Sequence, residues 1–546
     1  MIRQVKRLTR SGILLLWIVA TNGCGSETTG LERAPAQDGQ ADLGGTPVDT
    51  SGNDRSGLTM PGVQAPVTGE DPTPVAGVEQ PTQPEVSQDP TQGGEPPLDG
   101  PEEPLPTLDC PGTIRALVLL DQRLYSLVEA DLIRYVNAAC GRRGFGIAIV
   151  PQQSLDDRTP EEVRALVMTL RGQHAQLEGV LYVGDVALPT YFKPRPDILS
   201  TRLFPRYLED LDMTVVRNLS AGTVLPVCVA GASGATCRTD APSGNNGSST
   251  VPQHDYDWFE HGANPGPELW AAFLPVGYTD ATKNTYEGYA SQLTPFLHKA
   301  LDFYAHPDLY ERHFYHVGND VPQFGELLTR LWGVLGPSEI DYYSVHAQGE
   351  ATCKNNKACY VRAPLEEYSS AQAFLTYATA LPWIGEGWQD ASVFLGHLNG
   401  FLRRVVWWNT HGSPTGALLS SQQAKNGVVA GKGAAVALVS GCSVAGYLQP
   451  GSTAFQDLDT AVEGNLLVNL IYGTSAFVAA LGAPNNRVAT GRYDVLVDHL
   501  YQGDYLGMAH RRRLLAQDQM HSGPEDRTHF HELLLGDPFV DGKTGP

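Results

Sequence analysis

Two short runs of strand-forming residues, each halting at a polar loop that carries a glycine, constrain this chain most. The first is Val405-Val406-Trp407-Trp408-Asn409-Thr410, followed by His411-Gly412-Ser413. The second is Ala434-Ala435-Val436-Ala437-Leu438-Val439-Ser440, followed by Gly441-Cys442-Ser443. Runs that are apolar throughout, rather than at alternate positions, predict strands buried on both faces of a parallel sheet. Ligands of such sheets sit beyond the carboxyl ends of the strands. An imidazole and a thiol delivered there form a candidate base and nucleophile, because the imidazole supports the thiolate that attacks. Taken singly, each has a plainer reading: a buried cysteine as core filler, a His-Gly pair as a turn. Their occurrence at consecutive strand ends, each beside a glycine, favours the functional reading.

The same grammar runs through most of the chain. Residues 114–120, 146–150, 180–183, 269–274, 313–317 and 475–481 read as further buried strands. Helical stretches are expected at 126–139, 284–304, 324–335, 390–398 and 459–471. Another starts at Thr159-Pro160, where Thr159 caps, Pro160 opens the helix and Glu162 completes a capping box. Alternating strands and helices imply an α/β fold with mainly parallel sheets flanked by helices. We expect two adjacent α/β subdomains, residues 109–310 with a Gly/Ser/Asn-rich insertion at 216–265, and residues 311–546 carrying His411 and Cys442.

The chain has 546 residues and a formal net charge of −22. That charge argues against a nucleic-acid partner, since phosphate binding needs clustered Lys and Arg. Arg3, Lys6, Arg7 and Arg10 precede an apolar stretch at 12–20, which is too short for a bilayer span of roughly 20 residues and reads as a signal peptide over 1–23. Gly23-Cys24 resembles a bacterial lipoprotein processing site, with Thr21 in place of the usual Leu. Lipidation of Cys24 would anchor the mature chain in the cell envelope, in the outer membrane. Ordinary cleavage nearby, with Cys24 a spectator, is the alternative. Residues 24–108 are acidic and rich in Pro and Gly, a composition that cannot bury enough surface to offset chain entropy, and read as a tether.

With Cys24 set aside, seven cysteines remain, an odd number for an oxidising compartment. The simplest assignment pairs Cys110 with Cys140, Cys228 with Cys237 and Cys353 with Cys359, leaving Cys442 free. A helix returning antiparallel along its strand brings the first pair together; the other two close short loops.

Several motifs, in order, resemble the gingipain-type cysteine peptidases, a family in the clan of the caspases and legumain. Leu181-Tyr182-Val183-Gly184-Asp185 is similar to the family's strand ending in Val-Gly-Asp. Tyr207 to Asp212, with Glu209-Asp210-Leu211-Asp212, resembles its acidic patch. Leu398-Asn399-Gly400 and the run into His411-Gly412-Ser413 resemble the segment carrying the catalytic histidine. Gly441-Cys442-Ser443 resembles the nucleophile loop, and Leu535-Gly536-Asp537-Pro538 the closing signature. The chain departs from the family at Val276-Gly277-Tyr278, where members usually have Gly-Arg. The resemblance covers about 112–540 and implies a caspase-like fold. Together with the amino-terminal tether it implies a membrane-tethered cysteine endopeptidase acting on protein or peptide substrates, with no cofactor required. It implies Cys442 as nucleophile, His411 as base, and the backbone N–H groups of Gly412 and Cys442 as the oxyanion site. It also points to an assisting or pocket acid in Gly318-Asn319-Asp320-Val321. Asp320 is the candidate, although the cap of a following turn is its favoured local reading. Members often hold structural calcium, for which Glu209, Asp210 and Asp212 are candidates. The histidines of His529-Phe530-His531-Glu532 lack a third ligand at diagnostic spacing and read as a strand face. A competing expectation is a surface binding or processing protein that keeps the fold with little general proteolytic activity.

Overall fold

The first strand of the amino-terminal half passes directly into its helix, and one side-chain cap explains how. The computed structural model describes residues 108–543 apart from stretches within 195–198, 217–226, 232–233, 239–265, 279, 319–320, 345–357, 381–390, 411, 414, 442–443, 447–461, 484–491 and 521–531. Strand β1 (Ile114–Asp121) ends at Asp121, whose carboxylate accepts from Arg123 N at 2.8 Å and caps helix α1 (Gln122–Arg143). No connecting loop intervenes. α1 stops at Gly144, a left-handed residue with φ +69° whose N–H reaches Cys140 O at 2.7 Å, the conformation glycine adopts without cost. Its last turn returns beside the start of β1, where Cys140 is joined to Cys110 with Cα atoms 5.4 Å apart.

β2 (Gly146–Gln152) leads to α2 (Pro160–Gln173), which starts with the expected Thr159–Glu162 capping box. β3 (Gly179–Val183), β4 (Trp270–Leu274) and α3 (Tyr286–Ala305) are this half's remaining long elements. Within the expected insertion, strands Val227–Gly231 and Gly234–Arg238 form a hairpin whose register sets Cys228 opposite Cys237. Cys24 and Cys353 lie outside the described residues.

The carboxyl-terminal half contains β5 (Glu311–Val317), α4 (Val321–Val334), β6 (Ile340–Ser344), β7 (Val361–Arg362) and β8 (Leu402–Asn409). It continues through α5 (Ser421–Gly427), β9 (Gly433–Ser440), α6 (Leu466–Gly473) and β10 (Ala479–Gly482). Helices α7 (Tyr493–Gln502) and α8 (Leu506–Met520) then precede β11 (Leu533–Gly536). Eleven strands form one sheet in the order β7-β6-β5-β8-β9-β10-β11-β4-β3-β1-β2. It is a mainly parallel α/β sheet flanked by helices. β8 and β9 are buried almost end to end, as strands covered on both faces must be.

The two halves run in opposite directions. β11 is antiparallel to β10 but parallel to β4, and every other pairing is parallel except the short edge strand β7. The carboxyl ends of β8, β9 and β10 therefore share one rim with the amino ends of β11, β4 and β3. The closing Gly-Asp-Pro sequence fixes this junction. Gly536 has φ +91°, and a Cβ there would come within 2.3 Å of Val478 O. Buried Asp537 accepts from Tyr135 of α1 at 2.8 Å and Tyr304 of α3 at 2.6 Å, while its N–H donates to Val478 O at 2.8 Å. Among the described residues no helix is long and apolar enough to cross a membrane.

Candidate active site

The ladder between β8 and β9 pairs Trp408 with Val439 and Asn409 with Ser440, and runs one step further through Thr410 N to Ser440 O at 3.2 Å. Beyond it the two loops press together. A Cβ built on Gly441 would lie 3.2 Å from Gly412 Cα, 3.2 Å from Thr410 O and 2.9 Å from Val444 Cγ1. Glycine at 441 is thus a requirement of close backbone approach. His411 and Cys442, bonded in sequence to these two touching glycines, lie outside the described residues, as does Asp320. Gly318, two residues before Asp320, sits at the carboxyl end of β5, where its N–H donates to Tyr343 O at 3.1 Å. β5 is the other neighbour of β8, so Gly318 belongs to the same rim.

The loop after His411 is held by its own bonds. Ser413 and Gly416 exchange backbone hydrogen bonds at 2.7 and 3.1 Å, and Ser421 N reaches Thr415 O at 2.7 Å. Ser420 then opens α5 with a capping box completed by Gln423. Gly412 is half-buried and Ser413 is exposed, so this loop reaches the surface.

Beneath the rim, buried side chains tie the two strands together. Trp407 Nε1 donates to Ser440 Oγ at 2.8 Å. The Trp407 ring stacks on Tyr493 at 5.5 Å between centroids. The Tyr493 hydroxyl donates to Glu532 Oε1 at 3.1 Å, Arg513 lies over its ring at 4.9 Å, and Arg513 is ion-paired with Glu532. Burial pushes the Tyr493 hydroxyl above its ordinary value, with Arg513 opposing. His510, one turn before Arg513 and fully buried, has Nε2 3.5 Å from Glu209. Burial holds this imidazole below its ordinary value, against the pull of Glu209. These residues escaped the sequence reading because nothing local marks a tyrosine or an arginine on a distant helix as a support for a strand end.

The acidic patch lies on the same rim, before β4, and differs in membership from the expectation. Asp210, Asp212 and Glu268 bring carboxylate oxygens within 4.8 Å of one another. Glu209 is not among them. Its carboxylate accepts from Ala271 N at 3.3 Å and lies beside Arg206 and His510. Glu268, 58 residues away in sequence from Asp210, takes its place and also accepts from Leu211 N at 2.7 Å. An all-oxygen set of this kind suits a hard cation such as calcium.

The Val-Gly-Asp motif lies on the opposite rim. There Asp185, Asp121, Asp156, Tyr286 and Tyr289 line a small cavity beyond the carboxyl ends of β1 and β3. Burial, reinforced by the charge of Asp156, pushes the Asp185 carboxyl up to about 7. The motif and the Cys-His loops therefore belong to separate places.

No protein-family model matches the sequence, and no curated protein matches it. Two solved structures are similar in overall course. One is the Arg-specific cysteine proteinase gingipain R, with a TM-score of 0.43, 11% identity and coverage of 80% of each chain. The other is the complex of the pro- and mature domains of the same proteinase from Porphyromonas gingivalis. It has a TM-score of 0.43, 11% identity and coverage of 79% of this chain and 80% of the other.

Proposed function

We propose that this chain is a cysteine endopeptidase whose nucleophile is Cys442 and whose base is His411. The observation that carries the reading is the backbone contact between Gly412 and Gly441 at the carboxyl ends of adjacent parallel strands. In this mechanism His411 takes the thiol proton, and the Cys442 thiolate attacks the scissile carbonyl. The oxygen that becomes negative is met by the backbone N–H groups of Gly412 and Cys442, donors worth about 2.7–4 kcal/mol each when removed. His411 then protonates the leaving amine, and water hydrolyses the acyl-enzyme to release the acid and restore the thiol. Asp320, in the loop after β5, is proposed to orient His411. The sequence start supports an exported protein anchored through lipid on Cys24, acting on protein or peptide substrates at the cell envelope.

The test compares purified wild type with Cys442→Ala on casein and on a peptide library. Loss of cleavage, by at least about 1,000-fold, with an unchanged melting temperature is expected. Cleavage by the alanine variant at the wild-type rate would refute the assignment. Alkylation with iodoacetamide, mapped by mass spectrometry, adds a second reading: rapid labelling at neutral pH should fall on Cys442 and slow markedly in His411→Ala.

A further inference from the structure

Asn465 is fully buried and heads α6. Its side-chain oxygen accepts from Leu467 N at 3.0 Å and Val468 N at 3.2 Å, an ordinary helix cap. Its amide nitrogen faces the other way, donating to Val444 O at 3.0 Å and Gly446 O at 2.7 Å. The cap alone needs only an oxygen, which serine or aspartate supplies equally well. Only a carboxamide presents an acceptor to the helix and two donors to a loop from one small planar group.

The loop so held is the one that carries Cys442. The Val444 side chain is fully buried in a notch between two glycines, since a Cβ on Gly441 would lie 2.9 Å from one of its methyls and a Cβ on Gly482 2.7 Å from the other. Ala445 N donates to Ala483 O at 3.0 Å. Val444–Gly446 thus form a fixed anchor just downstream of Cys442 in sequence.

We infer that Asn465 is a positioning residue for Cys442. Its two donated bonds fix Val444 and Gly446, the described residues that follow Cys442 and Ser443 in the nucleophile loop. The inference rests on the peptidase reading for its catalytic consequence, but not for its effect on the thiol.

The decisive variant is Asn465→Ser, which keeps a capping oxygen, exchanges the two amide donors for one shorter hydroxyl and buries no charge. Asn465→Asp, also a good cap, is the second variant if the first does not fold. Thr159→Ala, which removes the exposed cap of α2, controls for loss of a helix cap alone. The pH profile of Cys442 alkylation by iodoacetamide is measured from about pH 5 to about pH 9, together with kcat, KM and thermal melting. For Asn465→Ser the expected result is a displaced labelling midpoint and a kcat lower by roughly 100-fold. KM should stay within about threefold, and Thr159→Ala should change neither kcat nor the profile. A folded Asn465→Ser protein with the wild-type profile and wild-type kcat overturns the inference and leaves a plain helix cap. Should the wild type prove inactive on peptides, a displaced profile still supports the positioning role while the peptidase reading fails alone, and an unchanged one overturns it.

Discussion

Gly441→Ala perturbs the contact between the two loops without altering His411 or Cys442. The new methyl would meet Val444 Cγ1 at 2.9 Å, Gly412 Cα at 3.2 Å and Thr410 O at 3.2 Å. Comfortable carbon–carbon separations are about 3.5–4.0 Å, so the loops must part by roughly half an ångström. Two of the three obstacles are backbone atoms, which no rotamer change moves aside. Overpacking of this kind costs about 1–3 kcal/mol, visible as a lower melting temperature. A displacement of that order between base and nucleophile lowers turnover by roughly 10- to 100-fold. Thermal melting, the iodoacetamide rate at Cys442 and peptide cleavage report the two effects separately. Val444→Ala in the same chain removes the shortest clash but neither backbone clash, so the double variant should recover stability in part and turnover little, a coupling that a double-mutant cycle reads directly. A Gly441→Ala protein with wild-type melting, labelling and turnover would refute the packing argument and, with it, the proximity of residues 411 and 442.

Two further outcomes follow from other parts of the molecule. Asp185 has a folded-state proton affinity above that of the unfolded chain, so the native state holds the extra proton and stability falls as pH rises from the ordinary carboxyl range to about 7. Asp185→Asn abolishes that loss and should raise the melting temperature above pH 7 by an amount worth at most roughly 4 kcal/mol, with the gain vanishing near pH 4; equal gains at both pH values would show that the effect is not ionisation. Cys110→Ser opens a bridge spanning 30 residues and should cost about 3–4 kcal/mol in denaturant melts on the chain-entropy picture, while reductant should destabilise the wild type far more than the variant.

Much of the fold was readable because its signals are local. Thr159, Pro160 and Glu162 mark the start of α2 wherever the helix packs, and the unbroken apolar runs of β1, β3, β8 and β9 cannot serve any strand but a buried one. Errors gathered where a boundary depends on one side-chain bond. α1 begins at Gln122 rather than near 126 because Asp121, the last residue of its strand, is also its cap. α6 begins at Leu466, later than expected, because Asn465 caps there. At the site, the glycines beside His411 and Cys442 were legible as punctuation, and the structure adds why one of them must be glycine. Glu268 as partner of Asp210 and Asp212 was out of reach, since its proximity is created by the chain's return to β4. The reversal of direction between the two halves was equally hidden, because no property of Leu533–Gly536 names the strands it will separate.

That reversal constrains how the molecule can be made. A nascent chain that has emerged as far as α8 holds every strand of both halves but not residues 533–536, so β10 and β4 each present a bare edge with unpaired backbone groups. Edges of that kind invite pairing with other chains, and long-range strand insertion is slow. Helices α7 and α8 and the segment before β11 must be laid down before the wedge strand can enter, and Asp537 can reach Tyr135 and Tyr304 only after it has. The interval before that entry is when this chain depends most on a chaperone that shields strand edges.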